Sequence, residues 1–380
     1  MIGVVFMGST IVTPLYTIYA ATFGFGNVML TLIYATYVIG NLAALLIFGR
    51  VSDQIGRRKA ALPAIGIIAL AALGFLFAQS TPWLFAGRAL SGFAIGIAAG
   101  SGTAWLAELE DKDGAGSAAF ISTSANLLGL AMGPILAGIL AQYAPMPLRL
   151  SYLVYLALVV MTAILVFHAA EPDVRRSGKI SFAPRIGVPS AARARFVAPA
   201  ITAFCTFAFI GFYAALVPSL IAGRLHQANH AVAGAIVCEL FVVAALVNRA
   251  TRHMPSRTAM LAGLAMQLPA LALLVAADRM ASMPLLIAAS AIGGSVAALG
   301  YRGSLSVVNE IAPADAKAEI VSSYMIVCFI GNSLPVIGVA LLSRALSDAV
   351  AALTIFAIVV ALFAVSAILY AVLADTSRRQ

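Results

Sequence analysis

Long apolar runs, each closed by a short polar or charged break, recur along the whole chain. A helix needs about 20 apolar residues to cross the hydrocarbon of a bilayer, and the runs have that length. Their boundaries predict spans near residues 2–22, 28–49, 60–79, 82–105, 117–142 and 149–169, then 196–222, 230–249, 258–277, 283–305, 320–343 and 348–373. The first run, from Ile2, is too long for a signal h-region and lacks a charged n-region, so it reads as a span rather than a cleavable leader. Residues 170–195 form the longest polar stretch. The predicted organisation is an N-terminal six-helix half (1–169), a cytoplasmic linker (170–195) and a C-terminal six-helix half (196–380). The fold class expected is an all-α membrane protein with twelve transmembrane helices in two pseudo-symmetric halves.

The breaks can be tested against each other, because Lys and Arg accumulate on the cytoplasmic side of membrane proteins. With the turn at 50–59 placed in the cytoplasm, Arg149, Arg224, Arg279 and Arg344 fall on the opposite side and Arg88 and Arg302 fall inside spans; the other 17 of the 23 basic residues are cytoplasmic. One missed span would scramble that asymmetry. Twelve spans with both termini cytoplasmic is therefore the expected topology, in a bacterial-type cell inner membrane. The halves also repeat. Pro14 (VTPLY) and Pro218 (LVPSL) lie 204 residues apart, Pro134 and Pro335 lie 201 apart, and Glu108 and Glu310 lie 202 apart. Duplicated halves place a substrate site near the midplane between them.

Composition narrows the class further. The chain is 62% hydrophobic and only 10% charged, with a mean hydropathy of +1.03. Soluble domains carry about 25% charge. The net charge of +9 sits in loops rather than on one soluble face, so it points to topology and not to nucleic acid. Cys205, Cys238 and Cys328 lie in apolar runs without metal-ligand spacing, and His168, His226, His230 and His253 fall at span ends or in loops, so no metal is expected. No nucleophile–base pair, metal cluster or phosphate loop appears, which argues against an enzyme and against a cofactor.

Three motifs carry a resemblance. Residues 49–62 read GRVSDQIGRRKAAL between two apolar runs. Gly49 and Gly56 permit tight backbone geometry. This stretch resembles the loop between spans 2 and 3 of the major facilitator superfamily of secondary transporters. Gly49, Asp53, Gly56, Arg57, Arg58 and Leu62 match that family's motif, while Val51 stands for a usual Leu and Gln54 for a usual Arg. In span 4, LFAGRALSGFAIG sets Arg88, Gly92 and Gly96 at i, i+4 and i+8 on one face and is similar to the family's span-4 motif, with Ser91 where Gln is usual. In span 5, GLAMGPILAG gives Gly129, Gly133, Pro134 and Gly138 and resembles the family's antiporter motif, with Ala137 replacing one Gly. The resemblance implies that Asp53 helps close an inner gate against the start of span 11, that Arg88 is linked to proton coupling, and that the span-5 motif marks exporters exchanging substrate for protons. The chain looks like a drug:proton antiporter-type member of that family.

Intramembrane charge is scarce. Only Arg88, Glu239 and Arg302 lie clearly within the predicted spans. Arg88 sits about 10 Å into its helix, counted from Pro82 at 1.5 Å per residue. A buried Arg at such depth costs about 2.5–3.5 kcal/mol, so it should face the protein interior or a wet cavity; it is either a functional group or a pin that bonds carbonyls between helices. Glu239 (AIVCELFVV) lies near mid-membrane, where a carboxylate is expensive and is a functional candidate by default. That makes it the leading proton carrier, against the alternative of a Glu that only ties helices. Arg302 is expected to pair with a cytoplasmic acid or to snorkel. Span 1 carries no acid, which leaves selectivity for cations in doubt.

Candidates to line the path are Tyr16, Tyr19, Phe209, Phe212, Tyr213 and Tyr301, with Asn126 and Asn332 from spans 5 and 11; each taken singly reads more readily as core. Aromatic and amide lining suits an amphipathic organic molecule. The function expected is proton-coupled efflux of small organic compounds by alternating access. Its partners are a small-molecule substrate, protons and the lipid bilayer, the protein acting as a monomer without nucleic acid. Two alternatives stay open: an uptake symporter or facilitator for a sugar, organic anion or amino acid, and a non-transporting membrane receptor or lipid-handling protein.

Overall fold

The computed structural model describes residues 1–48, 54–109, 115–170, 186–313 and 316–379, with backbone only over 115–119 and 374–379. Among the described residues there are helices and no strands. Twelve helices are long and apolar enough to cross a membrane: Ile2–Phe23, Asn27–Phe48, Arg57–Leu76, Thr81–Leu109, Phe120–Tyr143, Pro147–His168, Ser190–Ala215, His230–Ala250, Ser256–Arg279, Met283–Ile311, Lys317–Leu346 and Ala349–Leu373. We number these spans 1–12. Large apolar side chains such as Leu70, Leu165, Leu362 and Leu373 are more than half exposed, a surface that belongs in lipid rather than in water.

Two spans break where the sequence places proline. Span 1 runs as an α-helix over Ile2–Thr10, tightens to a 3-10 turn at Thr13–Leu15 around Pro14, and resumes as α-helix over Tyr16–Phe23. Span 7 ends at Ala215, and a short helix restarts over Val217–Gly223 with Pro218 in its first turn. Proline removes a backbone donor and clashes with the preceding turn, so the ladder is interrupted there. By contrast the helices of spans 5 and 11 continue through Pro134 and Pro335. Span 7 begins at Ser190 and not at 196 as the polarity of SAARARF suggests. Ala and Arg are good helix formers, so the helix extends into the polar stretch beyond the apolar run.

The chain divides into two compact units: Met1–Pro184 with Asn229–Cys238, and Arg185–Ala228 with Glu239–Gln380. In the first unit span 4 packs on spans 2 and 3, span 1 on span 5, and span 3 on span 6. In the second unit the corresponding pairs recur: span 9 on span 10, span 7 on span 11, and span 9 on span 12. Small residues make these contacts possible, because close helix approach in lipid depends on them. A methyl built on Gly96 of span 4 would lie 2.6 Å from the Ala44 methyl of span 2. A methyl on Gly294 of span 10 would lie 2.6 Å from the Leu240 carbonyl oxygen of span 8.

Candidate functional site

In the first unit Arg88 is 1% exposed, among the largest fully buried side chains of the protein. Its helix places it there because Gly92 and Gly96, one and two turns on, let spans 2 and 4 touch: a side chain at Gly92 would run into the backbone of Tyr37 and Asn41. The guanidinium donates from Nη1 to the Ser9 carbonyl oxygen of span 1 at 2.8 Å. Its central carbon lies 4.6 Å from the ring centroid of Tyr37, 5.3 Å from Tyr34 and 6.0 Å from Tyr16. Each such cation–ring contact supplies about 0.5–2 kcal/mol. The Nε of Arg88 makes no well-formed hydrogen bond; the buried Tyr16 hydroxyl stands beside the guanidinium and that of Tyr152 beside Tyr19, neither in full hydrogen-bond geometry. Tyr152 stacks on Phe75 at 5.1 Å, and Tyr19 donates to the Phe75 carbonyl oxygen at 3.2 Å. Glu108 is the one carboxylate among the described residues of this unit, and it bonds Arg57. Arg88 therefore has rings and a carbonyl around it, and no counter-charge.

In the second unit Glu239 of span 8 is half-buried, and no cation or hydrogen-bond donor pairs with it among the described residues. Tyr213 of span 7 is fully buried, lies 4.8 Å ring to ring from Phe209, and receives a hydrogen bond from Ser290 Oγ of span 10 at 3.2 Å. Phe212 faces another way and stacks on Phe356 of span 12 at 5.3 Å. Tyr301 meets Phe207 edge-on at 5.5 Å, and its carbonyl oxygen lies beside the buried Tyr324 hydroxyl. Asn332 is buried where its backbone passes Gly211 of span 7. In the first unit Asn126 has a buried side-chain oxygen without a partner.

Of the loop motif, Gly49 and Asp53 lie outside the described residues. Gly56 has φ 116°, a conformation closed to side chains, and caps the start of span 3. Arg57 pairs with Glu108 at the end of span 4, with Nε to Oε1 at 3.0 Å. Arg58 donates to the Ala169 carbonyl oxygen, and Trp105 Nε1 donates to the Ala170 carbonyl oxygen at 2.9 Å. Basic and indole groups thus take up the carbonyls at and just past the C-cap of span 6. Of the span-5 motif, Gly129 lies on Gly3 and Gly133 on Met7 and Thr10, both of span 1, while Gly138 meets His230. Ala137 is fully buried.

Of the two expectations for Arg302, no acid pairs with it among the described residues; it donates to the Thr251 hydroxyl at 2.9 Å and the Asn248 carbonyl oxygen at 3.4 Å, because span 8 ends within its reach. The sequence also hid several residues. Tyr34 and Tyr37, three apart on span 2, carried a signal only in their spacing. Asp278 is 2% exposed and accepts from Arg224 Nε at 3.2 Å, although it stands just past the apolar run that predicted span 9.

The family model described as Major Facilitator Superfamily matches residues 1–334. The chain is 32% identical over 148 residues to a multi-drug resistance efflux pump PmrA homolog of Lactococcus lactis subsp. lactis (strain IL1403), a match spanning 37% of this chain and 36% of that protein. Crystal structures of a bacterial homolog to the human lysosomal transporter Spinster, inward-facing and either unoccupied or occupied, share the fold, with TM-scores of 0.72 and 0.74 at 15% identity. They cover 97% and 99% of this chain and 93% and 94% of their own. With the matching family model spanning most of a twelve-span chain, the protein belongs to the Major Facilitator Superfamily and is a multi-pass membrane protein.

Proposed function

We propose that the protein is a proton-coupled exporter of small organic compounds, working as a monomer by alternating access in a cell inner membrane with both termini cytoplasmic. In this reading two six-span halves, 1–169 and 196–380, are joined by a cytoplasmic linker, and Glu239 carries the proton. The observation that supports it most is the position of Glu239: a half-buried carboxylate ten residues into span 8, with no cation paired to it among the described residues. A carboxylate so placed gains most from taking up and releasing a proton as its surroundings change from dry to wet. Arg88 is the second coupling residue in this reading. Its part in coupling is to set the field in which substrate binds. Gly129, Gly133, Pro134 and Gly138 hold span 5 against its neighbours, and Gly56, Arg57 and Arg58, with Gly49 and Asp53, form the gating turn. Tyr16, Tyr19, Asn126, Phe209, Phe212, Tyr213, Tyr301 and Asn332 are the candidate lining. The multidrug efflux homologue supports export.

The test is substrate-induced proton movement in proteoliposomes carrying an internal pH dye, with wild type beside Glu239→Gln. Proton movement opposite to substrate, lost in the variant, is the expected result. Movement in the same direction would make the protein a symporter. Substrate flux without protons, or full coupling in Glu239→Gln, would overturn the role of Glu239.

A further inference from the structure

An arginine buried in a helical bundle normally has a carboxylate beside it, because an uncompensated buried charge is costly. Arg88 has none. No Asp or Glu occurs in spans 1–6 except Glu108, which lies at the far end of span 4, about 30 Å along the helix from Arg88, and is bonded to Arg57. The rings of Tyr16, Tyr34 and Tyr37 offset only part of the charge. One acceptor, the Ser9 carbonyl, takes one N–H, and Nε remains without a partner. Beside the guanidinium stands the Tyr16 hydroxyl, fully buried and, apart from its approach to Arg88, without an acceptor in hydrogen-bond geometry.

We propose that the missing counter-charge of Arg88 is supplied by the substrate, and that the transported compounds are amphipathic organic acids carrying a single carboxylate. This rests on the reading of the chain as a transporter of small organic compounds and names their class. A planar guanidinium offers parallel N–H groups that match the two oxygens of a carboxylate, and Tyr16 can donate a further hydrogen bond. One arginine with no second cation balances a monoanion and leaves a phosphate dianion half-compensated. The surrounding tyrosine faces and the Phe75–Tyr152 stack suit an apolar body. A lipophilic cation would meet an unbalanced positive charge with no acid to hold it. Since Arg88 is 1% exposed, admission of the acid requires span 1 to shift, and the interruption at Ile11–Leu15, next to the Ser9 carbonyl, is the place where it can bend.

The test uses three compounds with one skeleton: 4-phenylbutanoate, 4-phenylbutanamide and 4-phenylbutylamine, which are negative, neutral and positive. Binding is read as ligand-induced thermal stabilisation of the purified full chain in detergent, for wild type, Arg88→Lys and Arg88→Gln, with elution volume as the check on folding. Wild type should bind the carboxylate about tenfold or more tighter than the amide, the range of a charge-assisted pair, and should bind the amine least. Arg88→Lys should keep this order with weaker binding, because an ammonium lacks the fork. Arg88→Gln should abolish the preference. If Arg88→Gln does not fold, the wild-type order and Arg88→Lys decide. Dodecanoate added as a membrane-partitioning acid separates a lipid-borne from a water-borne carboxylate, either of which fits. Equal or tighter binding of the amine, no stabilisation by any acid at millimolar concentration, or a preference that survives in Arg88→Gln overturns the proposal. Carboxylate preference without any proton movement in liposomes would leave the anion site standing and remove the coupling.

Discussion

Ser256, the first residue of span 9, donates a hydrogen bond to Glu310 near the end of span 10 at 2.6 Å. In the first unit Arg57, the first residue of span 3, holds Glu108 near the end of span 4 in the same way. One repeat keeps an ion pair and the other a hydroxyl–carboxylate bond at equivalent corners. The first corner is the more tightly enclosed, with side-chain exposures of 11% for Arg57 and 24% for Glu108. Glu108→Gln should therefore lower the melting temperature in detergent by more than Glu310→Gln, by about 1–3 kcal/mol of stability. Equal losses would show that the ion pair adds nothing beyond a hydrogen bond.

The pair Arg224–Asp278 should be asymmetric. Asp278 is 2% exposed while Arg224 is 45% exposed. Arg224→Ala strands a buried carboxylate, a change that costs about 3–5 kcal/mol for buried pairs. Asp278→Asn leaves an arginine that can turn to water, and should cost about 1 kcal/mol or less. Chemical denaturation or thermal melts of the two variants would show the order, and the reverse order would contradict the geometry.

Two glycines on one helix should behave oppositely. A methyl on Gly92 would collide with the Tyr37 backbone, whereas Gly100 has nothing within 4 Å of the added carbon. Gly92→Ala should force spans 2 and 4 apart, displace Arg88 from its rings, and reduce the monodisperse fraction in size-exclusion chromatography. Gly100→Ala should be neutral or slightly stabilising, since Ala favours the helix by up to about 1 kcal/mol over Gly.

Charge movement gives a fourth outcome. Exporting a monoanion in exchange for one inward proton carries two positive charges inward per cycle, and each is worth about 2.3 kcal/mol per 100 mV. Export of 4-phenylbutanoate should accelerate when valinomycin and a potassium gradient set the cytoplasmic side of proteoliposomes negative. A rate independent of potential would rule out that stoichiometry for a carboxylate.

The linear order of apolar runs determined most of the architecture. Span number follows from lengths of apolar sequence that a bilayer imposes, and the breaks in spans 1 and 7 follow from Pro14 and Pro218. The paired prolines and the Glu108–Glu310 pair recur at nearly one offset in the sequence, and the span pairings of one unit recur in the other. The scarcity of charge singled out Arg88 and Glu239, because few side chains can be ionised in an apolar run without a reason.

Which groups stand around those charges was decided by tertiary structure alone. Helices that are apolar on nearly every side carry little amphipathic signal, so the sequence does not say which face meets which neighbour. Ser9, Tyr34 and Tyr37 meet Arg88 because glycines at 92 and 96 bring span 2 against span 4 while span 1 lies alongside. Phe212 packs on Phe356 of span 12, and Arg302 finds Thr251 instead of an acid. The sequence determined that a charge is present in the membrane; the packing of small residues between helices determined that Arg88 has rings and a carbonyl, and no carboxylate, around it.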